Sequence, residues 1–322
     1  MEALFERVFV ETTVDTDQDG QYDLIAVYIK RPKLDEKVPA VFVANPYMLH
    51  CNEDWYDLYD VNTDIQAYPS QNIQREDITF HPKDPVVCPK KEAEQIVESS
   101  PYPEPDPSAY ECISDLYGHL LERGYAGVFS GGLGTRGSDG LTMTGSEEEI
   151  LAFKSVIDWL NGRTRAFRDK TRTVQVLASW CTGSVAMSAR SYLGTMCIGV
   201  ATTGVEGLKT ILPEAGISNW YEYYRHNGLT LPAMDWQGDD LDILAKYCFS
   251  RALDSNDFAS IKPLFEKNQK TLQEGEDRQS GNYNRFWDER NYLQHADRIQ
   301  ASVFVLQGLN CLLYTSDAAD DK

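Results

Sequence analysis

The stretch that decides the fold is Ser188-Ala189-Arg190-Ser191-Tyr192-Leu193-Gly194-Thr195. It follows a short run of strand character, Ser184–Met187, and merges into one of helical character, Arg190–Met196, so a serine stands at a strand-to-helix junction. That is the context of a nucleophile elbow, where a serine is held on a sharp, strained turn with its hydroxyl exposed and a helix N-terminus behind it. The backbone folds tightly there and needs small neighbours, which Ala189 and Gly194 supply. The match to Gly-x-Ser-x-Gly is inexact: Ala189 replaces the first glycine, and Gly194 lies one residue late. The same residues also read as a serine that caps a helix, and the segment alone does not choose between the two.

An elbow works beside an oxyanion hole. One donor is the backbone N–H of the residue after the nucleophile, Tyr192, and the other is expected from the loop after the third strand. That loop reads Asn45-Pro46-Tyr47-Met48. The Tyr47 hydroxyl is a competent donor, and its ring beside a proline is equally a packing residue.

Working outward, Phe5, Val8, Val10 and Val14, then Leu24, Ala26 and Tyr28 after a polar turn, predict a β-hairpin. Val38–Ala44 is apolar throughout and predicts a central strand. Residues 49–107 are polar and proline-rich, an excursion expected on the surface. A helix is expected around Ile113–Arg123, ended by Gly124, with a buried strand at Tyr125–Ser130. Ser146–Leu160 opens on Ser-Glu-Glu-Glu, which suits a helix cap and dipole, and carries Ile150, Phe153, Val156, Ile157 and Leu160 at helical spacing. Val174–Leu177 is a short strand candidate and Ile198–Ala201 a short apolar run. From Leu208 to Asp297 helical, Trp/Tyr-rich sequence dominates, and Ala301–Leu306 is expected to be a final buried strand. The pattern implies an α/β protein with a mixed, mainly parallel sheet. Its parts would be a core over 1–207, a helical cap inserted over 208–297 above the carboxyl ends of the strands, and a core strand over 298–310.

Composition narrows the function classes. The chain has 322 residues, 30 Lys+Arg against 50 Asp+Glu, a net charge of −20, and 42% hydrophobic residues. Such a balance argues against a nucleic-acid partner and against an anionic membrane surface, both of which are bound through Lys and Arg. No apolar run reaches the roughly 18 residues of a membrane span. The N-terminus lacks a signal-peptide pattern, so the cytoplasm is the expected compartment. Seven scattered cysteines without a C-x-x-C pair support neither a zinc site nor a disulfide framework.

Two further motifs invite other readings. Asp15-Thr16-Asp17-Gln18-Asp19-Gly20, with Asp23 at position nine, copies a calcium loop, but position twelve is Ala26 where a bidentate carboxylate belongs; a hairpin turn is the expected role. The Gly131–Gly140 loop follows a strand like a phosphate cradle, yet fits neither the dinucleotide nor the P-loop spacing; its glycines are expected to let it turn beneath the mouth of the sheet.

Taken together, these residues resemble the X-prolyl dipeptidyl aminopeptidases, serine enzymes with an α/β-hydrolase catalytic domain. The nucleophile segment is similar to Ser188–Thr195, with Gly-Lys in the family where this chain has Ala189-Arg190. Asn45-Pro46-Tyr47 resembles the loop that supplies an oxyanion tyrosine. Gly131–Gly140, Val156–Gly162, Thr202–Gly207, Glu214–Arg225 and Phe286–Leu293 also match. The resemblance implies release of Xaa-Pro dipeptides from the N-termini of peptides with proline at the second position. It implies Ser191 as nucleophile, Tyr47 and the Tyr192 N–H as oxyanion donors, and Trp220 and Tyr223 lining the proline pocket. Asp239 stands where the family has a glutamate that binds the free α-ammonium. It further implies no cofactor and a homodimer in the full-length family. An esterase or acylase of the same fold, or a non-catalytic peptide-binding fragment, are the alternatives.

The family's triad is not complete in this chain. Only His226 and His295 follow Ser191, neither in the expected place after an acid, and Cys311 stands where the family has its catalytic Asp. Residues 311–322 resemble nothing in the family, and back-translate onto the end of a transposon-based sequencing adapter. The expectation is therefore a hydrolase fold truncated at its C-terminal end near Asn310, with a non-native tail and no activity for want of the triad Asp and His.

Overall fold

The computed structural model describes residues 2–48, 51–52, 57–64, 68–69, 71–101, 115–225, 228–230 and 237–308. His226, Cys311 and the whole segment 309–322 lie outside the described residues, as does the start of the helix expected at Ile113.

The strands are β1 (Ala3–Glu11), β2 (Leu24–Pro32), β3 (Val38–Asn45), β4 (Gln95–Glu98), β5 (Ala126–Gly131), β6 (Ala166–Phe167), β7 (Val174–Leu177), β8 (Cys181–Arg190), β9 (Leu208–Glu214) and β10 (Ser302–Val303). They form one sheet in the order β10-β9-β8-β3-β5-β2-β1-β6-β7-β4. β5, β3, β8, β9 and β10 run parallel, while β2 lies antiparallel to both β5 and β1. An antiparallel hairpin feeding this parallel succession is the α/β-hydrolase arrangement. The apolar β3 is central, between β5 and β8, and all but one of its residues are buried.

Helices α1 (Asp115–Leu121), α2 (Glu147–Leu160) and α3 (Tyr192–Ala201) connect these strands. Gly124 closes the turn after α1 at φ +81°, which only glycine adopts readily. Ser146 caps α2, accepting the Glu149 N–H at 3.3 Å, and the expected stripe of Ile150, Phe153, Val156, Ile157 and Leu160 is buried against the sheet. After β9 come α4 (Trp220–Tyr224), α5 (Leu241–Cys248), α6 (Ser255–Glu276) and α7 (Arg285–Glu289). This helical layer packs on loops leaving the carboxyl ends of strands. Tyr247 meets Tyr47 after β3, the Arg251 N–H donates to the Gly134 carbonyl after β5 at 3.1 Å, and Trp220 meets Tyr192 after β8. No described helix is long and apolar enough to cross a membrane.

Four expectations need correction. Leu208–Glu214, assigned to the helical insertion, is strand β9, so the helical layer begins after it. Pro213 disguises this strand, yet Leu208, Ile211 and Pro213 all face inward. Ile198–Ala201 is no separate element but the second half of α3. Within the excursion 49–107, Gln95–Glu98 returns to the sheet as β4, parallel to β7 at the far edge. The final strand is an edge rather than core: Val303 is 49% and Phe304 59% exposed, because β10 has a neighbour only in β9 among the described residues. Its apolar run reads like a buried strand because periodicity does not distinguish a covered edge from a bare one.

Candidate active site

The junction of β8 and α3 holds Ser191 at φ +59°, ψ −128°, a backbone conformation that side chains rarely adopt and that costs on the order of 1–3 kcal/mol. Surrounding contacts enforce it. The Ser191 N–H donates to the Glu214 carbonyl at the end of β9 (2.8 Å), and the Ser191 carbonyl accepts the Thr195 N–H (2.8 Å) and hydroxyl (3.0 Å). A Cβ at Gly194 would stand 2.8 Å from the Ala189 carbonyl oxygen and 2.9 Å from that of Glu214. The glycine that looked one residue late therefore sits where the helix start touches two strands. Ser191 occupies the N-cap position of α3 but its side chain makes no capping hydrogen bond, and the residue is exposed. The capping alternative is thereby removed, and the turn has the geometry of an elbow.

Tyr47 follows β3 on a turn in which its N–H donates to the Asn45 side-chain carbonyl (2.9 Å). Its ring meets Tyr192 edge-on at 5.6 Å and Tyr247 at 6.3 Å, which places it beside the residue that follows Ser191. No described residue accepts a hydrogen bond from its hydroxyl. Burial, reinforced by nearby thiols and phenols, pushes the Tyr47 phenol well above its ordinary range, so it keeps its proton and remains a donor.

From Tyr192 the aromatic contacts continue into the helical layer. Trp220, fully buried, meets Tyr192 edge-on at 5.1 Å and Tyr223 at 6.1 Å, and stacks on Tyr224 at 6.2 Å and 13°. Tyr47, Tyr192, Trp220 and Tyr223 thus form one continuous wall, with Tyr47 and Tyr223 only half-buried. Asp239, also half-buried, accepts the Tyr224 hydroxyl at 3.1 Å, and burial pushes its carboxyl up to about 7. Its neighbour Asp240 is differently engaged: fully buried, it pairs with Arg225 at 3.0 Å and with Arg278, and caps α5. Asp239 has no such ion pair among the described residues.

Sequence reasoning missed Glu149. It read as one of three acids favouring the start of α2, but the helix turns it inward, where it accepts the Tyr192 hydroxyl at 2.8 Å and the Gly145 N–H at 2.6 Å. The available signal was its register: Glu149, Ala152, Phe153 and Val156 share one buried helix face. Among the described residues no histidine bonds Ser191; His81 pairs with Glu76 on the surface, and His295 lies in the 3-10 turn Tyr292–Arg298.

The other two motifs have structural duties. In the Gly131–Gly140 loop, Ser138 accepts the Ala26 N–H (3.0 Å) and Asp139 the Leu24 N–H (3.1 Å), which ties the loop to β2. Asp15, Asp17 and Asp19 bring carboxylate oxygens within 4.8 Å of one another in the turn between β1 and β2. Asp15 there accepts the Asp19 and Gly20 N–H groups, and Asp17 pairs with Arg251 at 2.9 Å.

The chain's sequence matches the family model of the X-Pro dipeptidyl-peptidases (S15 family) over residues 19–319, so the match extends past Asn310, the expected end of the likeness. It is 43% identical over 311 residues to the Xaa-Pro dipeptidyl-peptidase of Lactobacillus helveticus, covering 95% of this chain and 38% of that protein. It is 41% identical over 315 residues to that of Streptococcus sanguinis, covering 95% of this chain and 40% of that protein. The chain thus spans roughly two fifths of the length of these curated relatives. A CocE/NonD family hydrolase from Staphylococcus aureus, of solved structure, is 17% identical with a TM-score of 0.45, covering 94% of this chain and 43% of that one. With the family model matched over most of its length, this chain belongs to the S15 family of X-Pro dipeptidyl-peptidases.

Proposed function

We propose that the chain forms the nucleophile-bearing part of a serine dipeptidyl-peptidase that releases Xaa-Pro dipeptides from peptide N-termini. Ser191 Oγ attacks proline's own carbonyl carbon, the one bonded to the nitrogen of the third residue. The negative charge that develops on its oxygen is taken up by the Tyr192 N–H and the Tyr47 hydroxyl, and a donor of this kind is worth about 10²–10³ in rate. Collapse of the tetrahedral intermediate expels the amine of the shortened peptide and leaves the dipeptide as an ester on Ser191, which water then cleaves. Trp220 and Tyr223 offer the flat apolar faces that a proline ring fits. Asp239 supplies a carboxylate for the α-ammonium group that marks a free N-terminus. The base that takes the Ser191 proton lies outside the described residues, and without a base Ser191 does not turn over.

The observation that carries this reading is the Ser191 backbone, held at φ +59° with no capping bond, next in the chain to Tyr192 of the aromatic wall that runs from Tyr47 to Tyr223. The test is hydrolysis of an Xaa-Pro p-nitroanilide by the chain, and by the protein extended to the length of its relatives. Turnover is expected only from the extended protein, and is expected to vanish with Ser191→Ala. No turnover by the extended protein, turnover that survives Ser191→Ala, or cleavage confined to simple esters would overturn the assignment.

A further inference from the structure

Two rings of the aromatic wall are tied to one point of the chain, the turn that starts α2. Gly145 adopts φ +75°, and a Cβ there would stand 2.6 Å from Trp220 Nε1, so the turn approaches the indole as closely as backbone can. The Trp220 indole N–H donates to the Tyr292 hydroxyl oxygen (3.1 Å), and the Tyr292 hydroxyl donates to the Gly145 carbonyl (2.8 Å). On the other side of the same residue, the Gly145 N–H donates to Glu149 Oε2 (2.6 Å), and the Tyr192 hydroxyl is shared between Oε1 (2.8 Å) and Oε2 (2.9 Å) of that carboxylate. Trp220 and Tyr192 meet edge-on at 5.1 Å, so these bonds close a ring behind the aromatic wall.

Glu149 is an expensive residue to keep there. It is 2% exposed, and Arg290, the guanidinium that favours its charged form, is committed to Glu289 and to the carbonyls of Met143 and Thr144. Burial pushes its carboxyl up to about 7. A buried carboxylate without an ion pair is a poor stabiliser compared with an apolar side chain of the same size. What it supplies is a fixed acceptor for one phenol. Tyr192 makes edge contacts with Tyr47 on one side and Trp220 on the other, so the place of its ring sets the width of the wall.

We infer that Glu149 is a positioning residue for the aromatic wall, fixing the Tyr192 ring between Tyr47 and Trp220 so that the wall suits a flat proline ring and disfavours smaller side chains. The inference rests on the dipeptidyl-peptidase reading and adds to it the device that sets preference for proline at the second position. Glu149 touches no reacting atom, and acts through Tyr192.

The test is equilibrium binding of the dipeptides Ala-Pro and Ala-Ala to the chain, followed by tryptophan fluorescence or calorimetry, with folding checked by thermal melts. The original chain is expected to favour Ala-Pro by about tenfold or more, a difference of some 1.4 kcal/mol. Glu149→Ala and Tyr192→Phe, which break the same bond from opposite ends, are expected to reduce that ratio below about threefold. Glu149→Gln keeps an oxygen for the Tyr192 hydroxyl and is expected to restore an intermediate ratio, an outcome that a merely structural role would not produce. Should Glu149→Ala fail to fold, Tyr192→Phe, which deletes one oxygen, decides the matter. A proline preference unchanged in folded Tyr192→Phe overturns the inference and leaves the peptidase reading standing. Absence of any preference in the original chain overturns both.

Discussion

At the carboxyl end of β8 a serine is forced to positive φ, and an aromatic wall closes beside it; in the turn between β1 and β2, three carboxylates crowd together beside a cavity of about 800 Å³ lined by Asp15, Thr16, Tyr22, Val86 and Leu264. By cavity volume and by likeness to a motif, the acidic turn is the more conspicuous of the two. The difference lies in what the polar groups are doing. In the turn, Asp15 holds two backbone N–H groups, Asp17 pairs with Arg251, and Asp23 grips Thr16 through its N–H (2.8 Å) and hydroxyl (2.7 Å). At the elbow, the Ser191 side chain caps nothing and the Tyr47 hydroxyl has no acceptor among the described residues. Strain without a structural reward, next to donors left uncommitted, is the better mark of a reactive centre.

The largest separation between the two regions is expected in catalysis. In the protein extended to the length of its relatives, Tyr47→Phe is expected to lower kcat for an Xaa-Pro p-nitroanilide by about 10²–10³ with little change in KM, because the lost hydroxyl acts on charge that exists only in the transition state. Asp19→Asn in the acidic turn is expected to change kcat/KM by less than about twofold, as an exposed charge far from the reacting atoms. Equal effects of the two substitutions would erase the comparison.

A smaller separation is expected in stability. Gly194→Ala places a methyl against two backbone carbonyls that have nowhere to go, and urea unfolding should register a loss of about 2–3 kcal/mol. Gly20→Ala, at φ +82° in open space, carries backbone strain alone and should cost about 1 kcal/mol. A Gly194→Ala protein as stable as the original would mean that the elbow is looser than its contacts indicate.

The pH dependence separates binding from stability. A carboxylate holds an ammonium only when ionised, and the Asp239 carboxyl is pushed up to about 7, chiefly by burial, with Asp240 and Asp242 adding to the rise and the Tyr224 hydroxyl opposing it. The α-amino group of a dipeptide stays protonated to about pH 8. Affinity for Ala-Pro is therefore expected to fall about tenfold per pH unit as the pH drops below about 7, and Asp239→Asn should flatten that slope. Folding responds with the opposite sign. Between about 4 and 7 the folded protein keeps a proton on Asp239 that the unfolded chain has released, so this group's contribution to stability declines as pH rises through that window. Glu149, also pushed up to about 7, acts in the same direction. A melt series in which Asp239→Asn has no smaller pH slope than the original would contradict this placement of the carboxylate.

The hairpin, β3 and α2 were legible because each obeys a single period and faces the core on one side or both. Ser191 was legible from context and Gly194 only in part, since a motif states spacing while the structure states which atoms collide. β9 was hidden by Pro213, and β10 was misread as buried because a run of Val303, Phe304, Val305 and Leu306 carries no sign of what lies beside it. Trp220, Tyr223 and Asp239 came from family resemblance; nothing in periodicity separates Asp239 from Asp240, though one is half-buried beside a tyrosine and the other closed into an ion pair. Glu149 escaped because an acid in the first turn of a helix already has a sufficient local explanation.

The smallest expected effect concerns the acidic turn itself, and it bears on the comparison from the other side. Two buried oxygens there, Oδ1 of Asp17 and of Asp23, have no hydrogen-bond partner, and a bound cation is what would use them. Three features oppose it. Arg251 already neutralises Asp17 at 2.9 Å, burial and Asp17 push the Asp23 carboxyl well above its ordinary range so that it keeps its proton, and position twelve is Ala26, buried within β2. Millimolar calcium is accordingly expected to move the melting temperature by less than about 1 °C, since even weak loops of this type saturate in that range. Asp19→Asn, which relieves repulsion among the three carboxylates, is expected to alter stability by no more than about 0.5 kcal/mol. A calcium-dependent rise of several degrees that Asp19→Asn abolishes would show the turn to be a built ion site, and would leave cavity volume and motif likeness as better guides in this molecule than backbone strain.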